Sequence, residues 1–167
     1  MVAGAAETGL WGQAYSPMGE KGRFVLPTFA RKKIRESSGK RTLCLAQDNA
    51  LPCLIGFGLG RVAGFEAQLD AEEDRAVRRN VPFNRTTRAA QLYGFTEIGF
   101  DDSGRFILPE HLVILSGVED GLYFHGAGEF MTVWTPARLA AMGDDWLQAK
   151  VTCQGMVEAA RAKAARK

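Results

Sequence analysis

Two short segments carry the residue types that recognise a polyanion. Glu20-Lys21-Gly22-Arg23 and Asp102-Ser103-Gly104-Arg105 each set an arginine directly after a glycine, with an acid three places earlier. A guanidinium at the tip of a turn presents two parallel donors, which match guanine O6 and N7 in a major groove and discriminate bases by about 1 to 3 kcal/mol. Lys21 stands beside the first arginine, and Arg31, Lys32 and Lys33 follow it closely. Such cations suit phosphates, where each neutralised phosphate adds about 0.9 to the salt slope of binding. A plainer reading of the same segments is a turn whose arginine pairs with the adjacent acid, Glu20 in the first and Asp102 in the second.

The two segments are copies. Residues 12–27 realign without gaps on residues 94–109, and the identical positions (Gly12/Gly94, Gly22/Gly104, Arg23/Arg105, Phe24/Phe106, Leu26/Leu108, Pro27/Pro109) concentrate around the Gly-Arg pair. Each copy reads as a strand, a tight turn in which Gly22 or Gly104 supplies positive φ, and a second apolar strand closed by proline, which is a hairpin pattern. Pro27 and Pro109 open short helices over 27–39 and 109–117, each followed by a closing glycine. Strands are predicted at 42–46 and 52–57 in the first copy, and at 121–126 and 130–135 in the second. The repeat unit is therefore hairpin, short helix, hairpin, in an α+β, β-rich fold. The domain reading is a first repeat at 9–63, a helical spacer at 64–90, a second repeat at 91–143, and a basic tail at 144–167 that is helical or disordered.

The spacer stretch 62–80 has helical periodicity with Phe65, Leu69 and Val77 on one broad face, and a second short helix is predicted at 86–94. A third helix is predicted over 136–151. An apolar content of 46% lets 167 residues bury a core without metal or disulfide. The net charge of +2 hides segregation: residues 21–41 hold eight basic side chains against Glu36 alone, while residues 97–120 hold six acids against Arg105 alone. A polyanion would land on the first part of the chain. Cys44, Cys53 and Cys153 form an odd set without C-x-x-C spacing, and no long apolar run is present, so a reducing cytoplasm is expected and a membrane role is not.

Other candidate chemistries find weak support. The stretch from Gly56 to Gly64 follows a strand and precedes a helix, as a dinucleotide loop does, but no second parallel strand ending in an acid follows, and a flexible turn is the simpler reading. His111 and His125 lie in different elements without metal-ligand spacing, and Ser103 lacks a nucleophile-elbow pattern. Trp134, Tyr123, Phe130, Phe24 and Phe106 read as core. Neither catalysis nor a metal, cofactor or small-molecule substrate is expected.

The two copies of acid-x-Gly-Arg-Φ-x-Φ-Pro, together with the acidic-then-basic helical spacer, resemble the MraZ family, whose relatives are the AbrB-like and SpoVT-like regulators. The likeness covers roughly residues 11 to 143 and includes Pro52-Cys53-Leu54 and Val133-Trp134. It implies two tandem AbrB-like swapped-hairpin repeats, a double-split barrel with pseudo-twofold symmetry, and assembly of chains into a homo-oligomeric ring. It also implies transcription regulation in the cytoplasm and nucleoid, through short direct repeats of double-stranded DNA upstream of the division and cell-wall gene cluster. The family's loop lysine and arginine fall on Lys21 and Arg23, and its arginine four places after the proline falls on Arg31. In the second copy Arg105 alone is kept, since Ser103 and Val113 stand where lysine and arginine belong. The stretch 56–64 replaces the family's usual helix start, and residues 1–8 precede its usual beginning. The alternative is an antitoxin-like module of AbrB-like fold that binds a protein partner without specific DNA contact.

Overall fold

The computed structural model describes residues 9–166, so the segment 1–8 lies outside the described residues. The strands are β1 (Gln13–Pro17), β2 (Arg23–Val25), β3 (Thr42–Gln47), β4 (Leu54–Gly58), β5 (Thr96–Gly99), β6 (Arg105–Ile107), β7 (Gly121–Gly126) and β8 (Met131–Trp134). The helices are α1 (Thr28–Ser38), α2 (Phe65–Arg78), α3 (Arg85–Tyr93), α4 (Glu110–Ser116), α5 (Pro136–Ala140) and α6 (Leu147–Ala165). Six strands form one antiparallel sheet in the order β1-β7-β8-β4-β3-β5, and β2 pairs with β6 in a separate two-stranded ribbon. The fold is a mixed α and β architecture built on a large antiparallel sheet.

The hairpins read at 42–57 and 121–135 are present as β3–β4 and β7–β8. Those read around the Gly-Arg turns are not. Strand β1 pairs with β7 and β5 with β3, while β2 and β6 pair with each other. Burial explains the exchange, because three-residue strands joined locally would leave Phe24 and Phe106 little to pack on. Paired across the copies, the two rings lie 6.0 Å apart and enter one shared core with Leu26, Leu108, Leu43, Leu45 and Phe124. Replacing every strand by its counterpart in the other copy reverses the order of the large sheet and changes nothing else.

The central strands read as apolar runs because both faces of the sheet are covered. Leu43 and Leu45 of β3 and Leu122 and Phe124 of β7 face the core shared with the ribbon, α1 and α4. Cys44 faces Phe57, Phe65 and Leu69 beneath α2, and Tyr123 packs with Trp134 and Cys153 beneath α5 and α6. Phe130 sits just before β8 and packs against the α2 cluster only partly buried.

Two expectations about helices need correction. On α2 the inward face is Phe65, Leu69 and Ala76, while Val77 is 74% exposed. At about 100° per residue, position 76 falls about 20° from Phe65 and position 77 about 120° away. The segment 136–151 is not one helix, because Gly143 adopts an extended ψ and a 3-10 turn at Asp144–Trp146 restarts the chain into α6. The tail is helical as far as Ala165.

Finally, the stretch 56–64 is a packed 3-10 segment at Leu59–Gly64, not a flexible turn. A Cβ on Gly58 or Gly60 would collide with Ser37 of α1, so small residues there permit close approach of the two elements. Arg61 fills the space beyond, with its guanidinium carbon 4.9 to 5.3 Å from the centroids of Phe57, Phe65 and Phe130, and desolvation lowers its pKa.

Candidate nucleic-acid interface

The β2–β6 ribbon alternates strictly. Phe24 and Phe106 are buried at its centre, and Arg23, Val25, Arg105 and Ile107 are exposed on its outer face. The antiparallel register sets Arg23 opposite Ile107 and Val25 opposite Arg105. Each strand is entered through one of the Gly-Arg turns, closed by matching backbone bonds from Gly19 N–H to the Arg23 carbonyl (2.8 Å) and from Asp101 N–H to the Arg105 carbonyl (3.1 Å).

The two loops differ beyond that shared bond. In the first, Lys21 and Gly22 both take positive φ (60° and 68°), and Lys21 projects as an exposed cation. In the second, the Asp101 carboxylate accepts hydrogen bonds from the backbone N–H groups of Ser103 and Arg105 and from Arg105 Nε, at 2.8 to 2.9 Å. The backbone bond from Arg105, reinforced by the guanidinium and the Ser103 N–H, holds the Asp101 carboxyl below its ordinary value. The plain reading of a turn arginine paired with an acid therefore describes Arg105, although the partner is Asp101; Asp102 pairs with Arg41 instead. Arg23 makes no ion pair among the described residues.

Helix α1 splits the basic run between two sides. Thr28, Arg31, Lys32 and Arg35 follow helical spacing and, with Arg41, Asp101 and Asp102, line a groove of about 210 Å³ beside the second loop. Lys32 is largely exposed, 3.9 Å from Glu36. Arg31 is half-buried and donates through Nε to the Leu26 carbonyl at 2.7 Å, while Leu26 N–H donates to the Gly104 carbonyl at 2.7 Å. Gly104 (φ 81°) is tightly enclosed there, since a Cβ would meet the Arg31 side chain and the Leu26 carbonyl. Lys33 faces away from this groove, with Nζ bonded to the Gly9 carbonyl and 3.0 Å from the Trp11 ring centroid. Sequence reasoning counts Arg35 and Arg41 in the basic run of 21–41 without naming them as contacts; the four-residue step from Arg31 points to Arg35, but only the fold brings Arg41 to the groove.

The remaining candidates stand apart from this surface. His111 is exposed on α4, with Nε2 2.9 Å from Thr96 Oγ1, and His125 stacks edge-on near Tyr123 within β7. The three cysteines are buried and unpaired, and burial pushes the Cys44 and Cys53 thiols up to about 12 and Cys153 to about 11. No helix among the described residues is long and apolar enough to cross a membrane.

No protein-family model matches the chain. Among curated proteins it is 30% identical over 126 residues to the transcriptional regulator MraZ of Parvibaculum lavamentivorans, covering 72% of this chain and 78% of that one. It is 26% identical over 152 residues to the MraZ of Acetivibrio thermocellus, covering 87% and 95% respectively. A shorter stretch of 77 residues is 35% identical to the MraZ of Caulobacter vibrioides, covering 44% and 48%. On the alignment with the Parvibaculum protein, which spans most of both sequences, the chain belongs to the MraZ family of transcriptional regulators.

Proposed function

We propose that the chain is a sequence-specific regulator that binds double-stranded DNA through the outer face of the β2–β6 ribbon and its two loops. The observation that carries this reading is Arg23, which stands exposed on the outer face of a two-stranded ribbon without an acid partner among the described residues. A major groove admits such a ribbon. Arg23 then reads guanine, while Lys21, Lys32 and the free donors of Arg31 meet phosphates. Arg105, held by Asp101, contributes less, and Lys33 acts as a packing residue.

The tandem architecture is read as two swapped-hairpin repeats, a double-split barrel with pseudo-twofold symmetry, and the copy-exchanged strand order supports that reading. One chain offers one ribbon, so tight binding to short direct repeats needs several protomers held together, and a ring supplies that effective concentration. The expected setting is the cytoplasm and nucleoid, at the promoter of the division and cell-wall gene cluster.

Mobility-shift assays on the protein's own upstream DNA test this. Wild type is expected to bind with strong salt dependence, and Arg23→Ala about five- to 150-fold more weakly, the equivalent of one bidentate contact. Equal, salt-insensitive binding by both proteins refutes it. The neutralised second loop favours the antitoxin-like alternative to the extent that only one arm is free, and co-purification of one stoichiometric protein partner with no DNA affinity would establish it.

A further inference from the structure

Building on DNA binding by the ribbon, we infer that Ile107 and Val25 are specificity-determining residues that contact thymine C5-methyl groups next to the guanine read by Arg23. The outer face of the ribbon holds four side chains, and two are aliphatic: Val25 is 41% exposed and Ile107 56%. Lone exposed aliphatics are ordinary on a protein surface. Here, however, each stands directly across from an arginine, Ile107 from Arg23 and Val25 from Arg105, with no acid on the face.

Residues opposed across an antiparallel pair have Cβ atoms about 5 Å apart, and neighbours on one face of a strand are about 7 Å apart. Base pairs are stacked at about 3.4 Å, so an arginine seated on guanine places both aliphatics within about two base steps of it. The thymine methyl is the apolar feature of the major groove, and it is what an aliphatic side chain at that depth recognises. Ile107 carries the stronger discrimination, because it faces the uncommitted Arg23, whereas Val25 faces Arg105 in its bond to Asp101.

Sequencing DNA selected by the purified full chain is expected to give sites with thymine within two steps of a guanine. Replacing that thymine by uracil removes only the methyl group and should weaken wild-type binding about fourfold per methyl, the value of one buried carbon. Ile107→Ala should bind the thymine site more weakly and lose the thymine-over-uracil preference; Val25→Ala should do so to a smaller extent. Arg23→Ala should weaken binding to both sites and keep the preference. Equal binding of thymine and uracil sites by wild type, a measurement that needs no variant, overturns the inference while leaving DNA recognition by Arg23 intact. An Arg23→Ala protein that binds both sites as wild type does overturns the ribbon reading itself.

Discussion

Gly22 and Gly104 occupy equivalent positions in the two loops, and exchanging each for alanine separates the cost of a backbone conformation from the cost of closing the two copies together. Both have positive φ, 68° and 81°, a region in which an alanine costs about 1 to 2 kcal/mol. At Gly22 an added Cβ would meet nothing within 4 Å, so Gly22→Ala should lose only that amount. At Gly104 the Cβ would lie 2.8 Å from the Leu26 carbonyl and against the Arg31 side chain. Relieving that contact sacrifices the Leu26–Gly104 and Arg31–Leu26 hydrogen bonds, each contributing about 0.5 to 1.5 kcal/mol. Gly104→Ala should therefore destabilise by about 2 to 5 kcal/mol, which exceeds Gly22→Ala by about 1 to 3. Urea unfolding of the full chain reads the difference directly. In the Gly104→Ala background, Arg31→Ala should be nearly silent, since the bond it removes is already lost. Equal losses at the two glycines, or full additivity with Arg31→Ala, would refute the role assigned to this contact.

Further outcomes are expected elsewhere. Lys21→Gly relieves a left-handed lysine and should leave stability unchanged or raise it by up to about 1 kcal/mol, while lowering the salt slope of DNA binding by about 0.9; an unchanged slope removes Lys21 from the phosphate contacts. The Asp101 carboxyl has a folded pKa below its ordinary 3.8, so its contribution is present above that value and is lost as pH falls through the folded pKa. Asp101→Asn should accordingly flatten the acid side of the stability profile below about pH 4, and an unaltered profile would contradict the loop geometry. With Cys44 and Cys53 thiols near 12, alkylation at neutral pH should proceed only through unfolding, at a rate independent of reagent once reagent is in excess. Rapid labelling of the native chain would show that these cysteines are not enclosed.

Elements whose residues contact near neighbours in sequence were legible without the fold. Pro27 and Gly39 bracket α1, Pro109 and Gly117 bracket α4, and the apolar runs at 42–57 and 121–135 became hairpins. The strands beside the Gly-Arg turns were legible as strands, but their partners were not. Period-two alternation at Arg23–Val25 states which side is buried and says nothing about which strand lies alongside. At the candidate site, Lys21 and Arg23 were identified by type and spacing. The pairing of Arg105 with Asp101 and the attachment of Arg31 to the Leu26 carbonyl are local contacts, four and five residues apart, but they follow from the loop conformation and not from residue type, and the turning away of Lys33 depends on the segment around Gly9, which linear spacing does not encode. Helical geometry alone would have exchanged Val77 for Ala76, because the larger apolar residue is the more conspicuous of the two in the sequence.

The pairing of β1 with β7 sets a timetable for the growing polypeptide. Gln13 lies opposite His125, so the first strand's partner is made about 110 residues later, roughly 5 to 20 s at ordinary bacterial elongation rates. Until then the amino-terminal portion carries an edge with no neighbour, and chains on adjacent ribosomes of one message offer each other the same vacant position. Nascent chains arrested before residue 121 should be degraded by protease across 13–17, and those released after residue 134 should resist it. Synthesis from a crowded polysome is thus the stage at which this architecture is most exposed to pairing with the wrong copy.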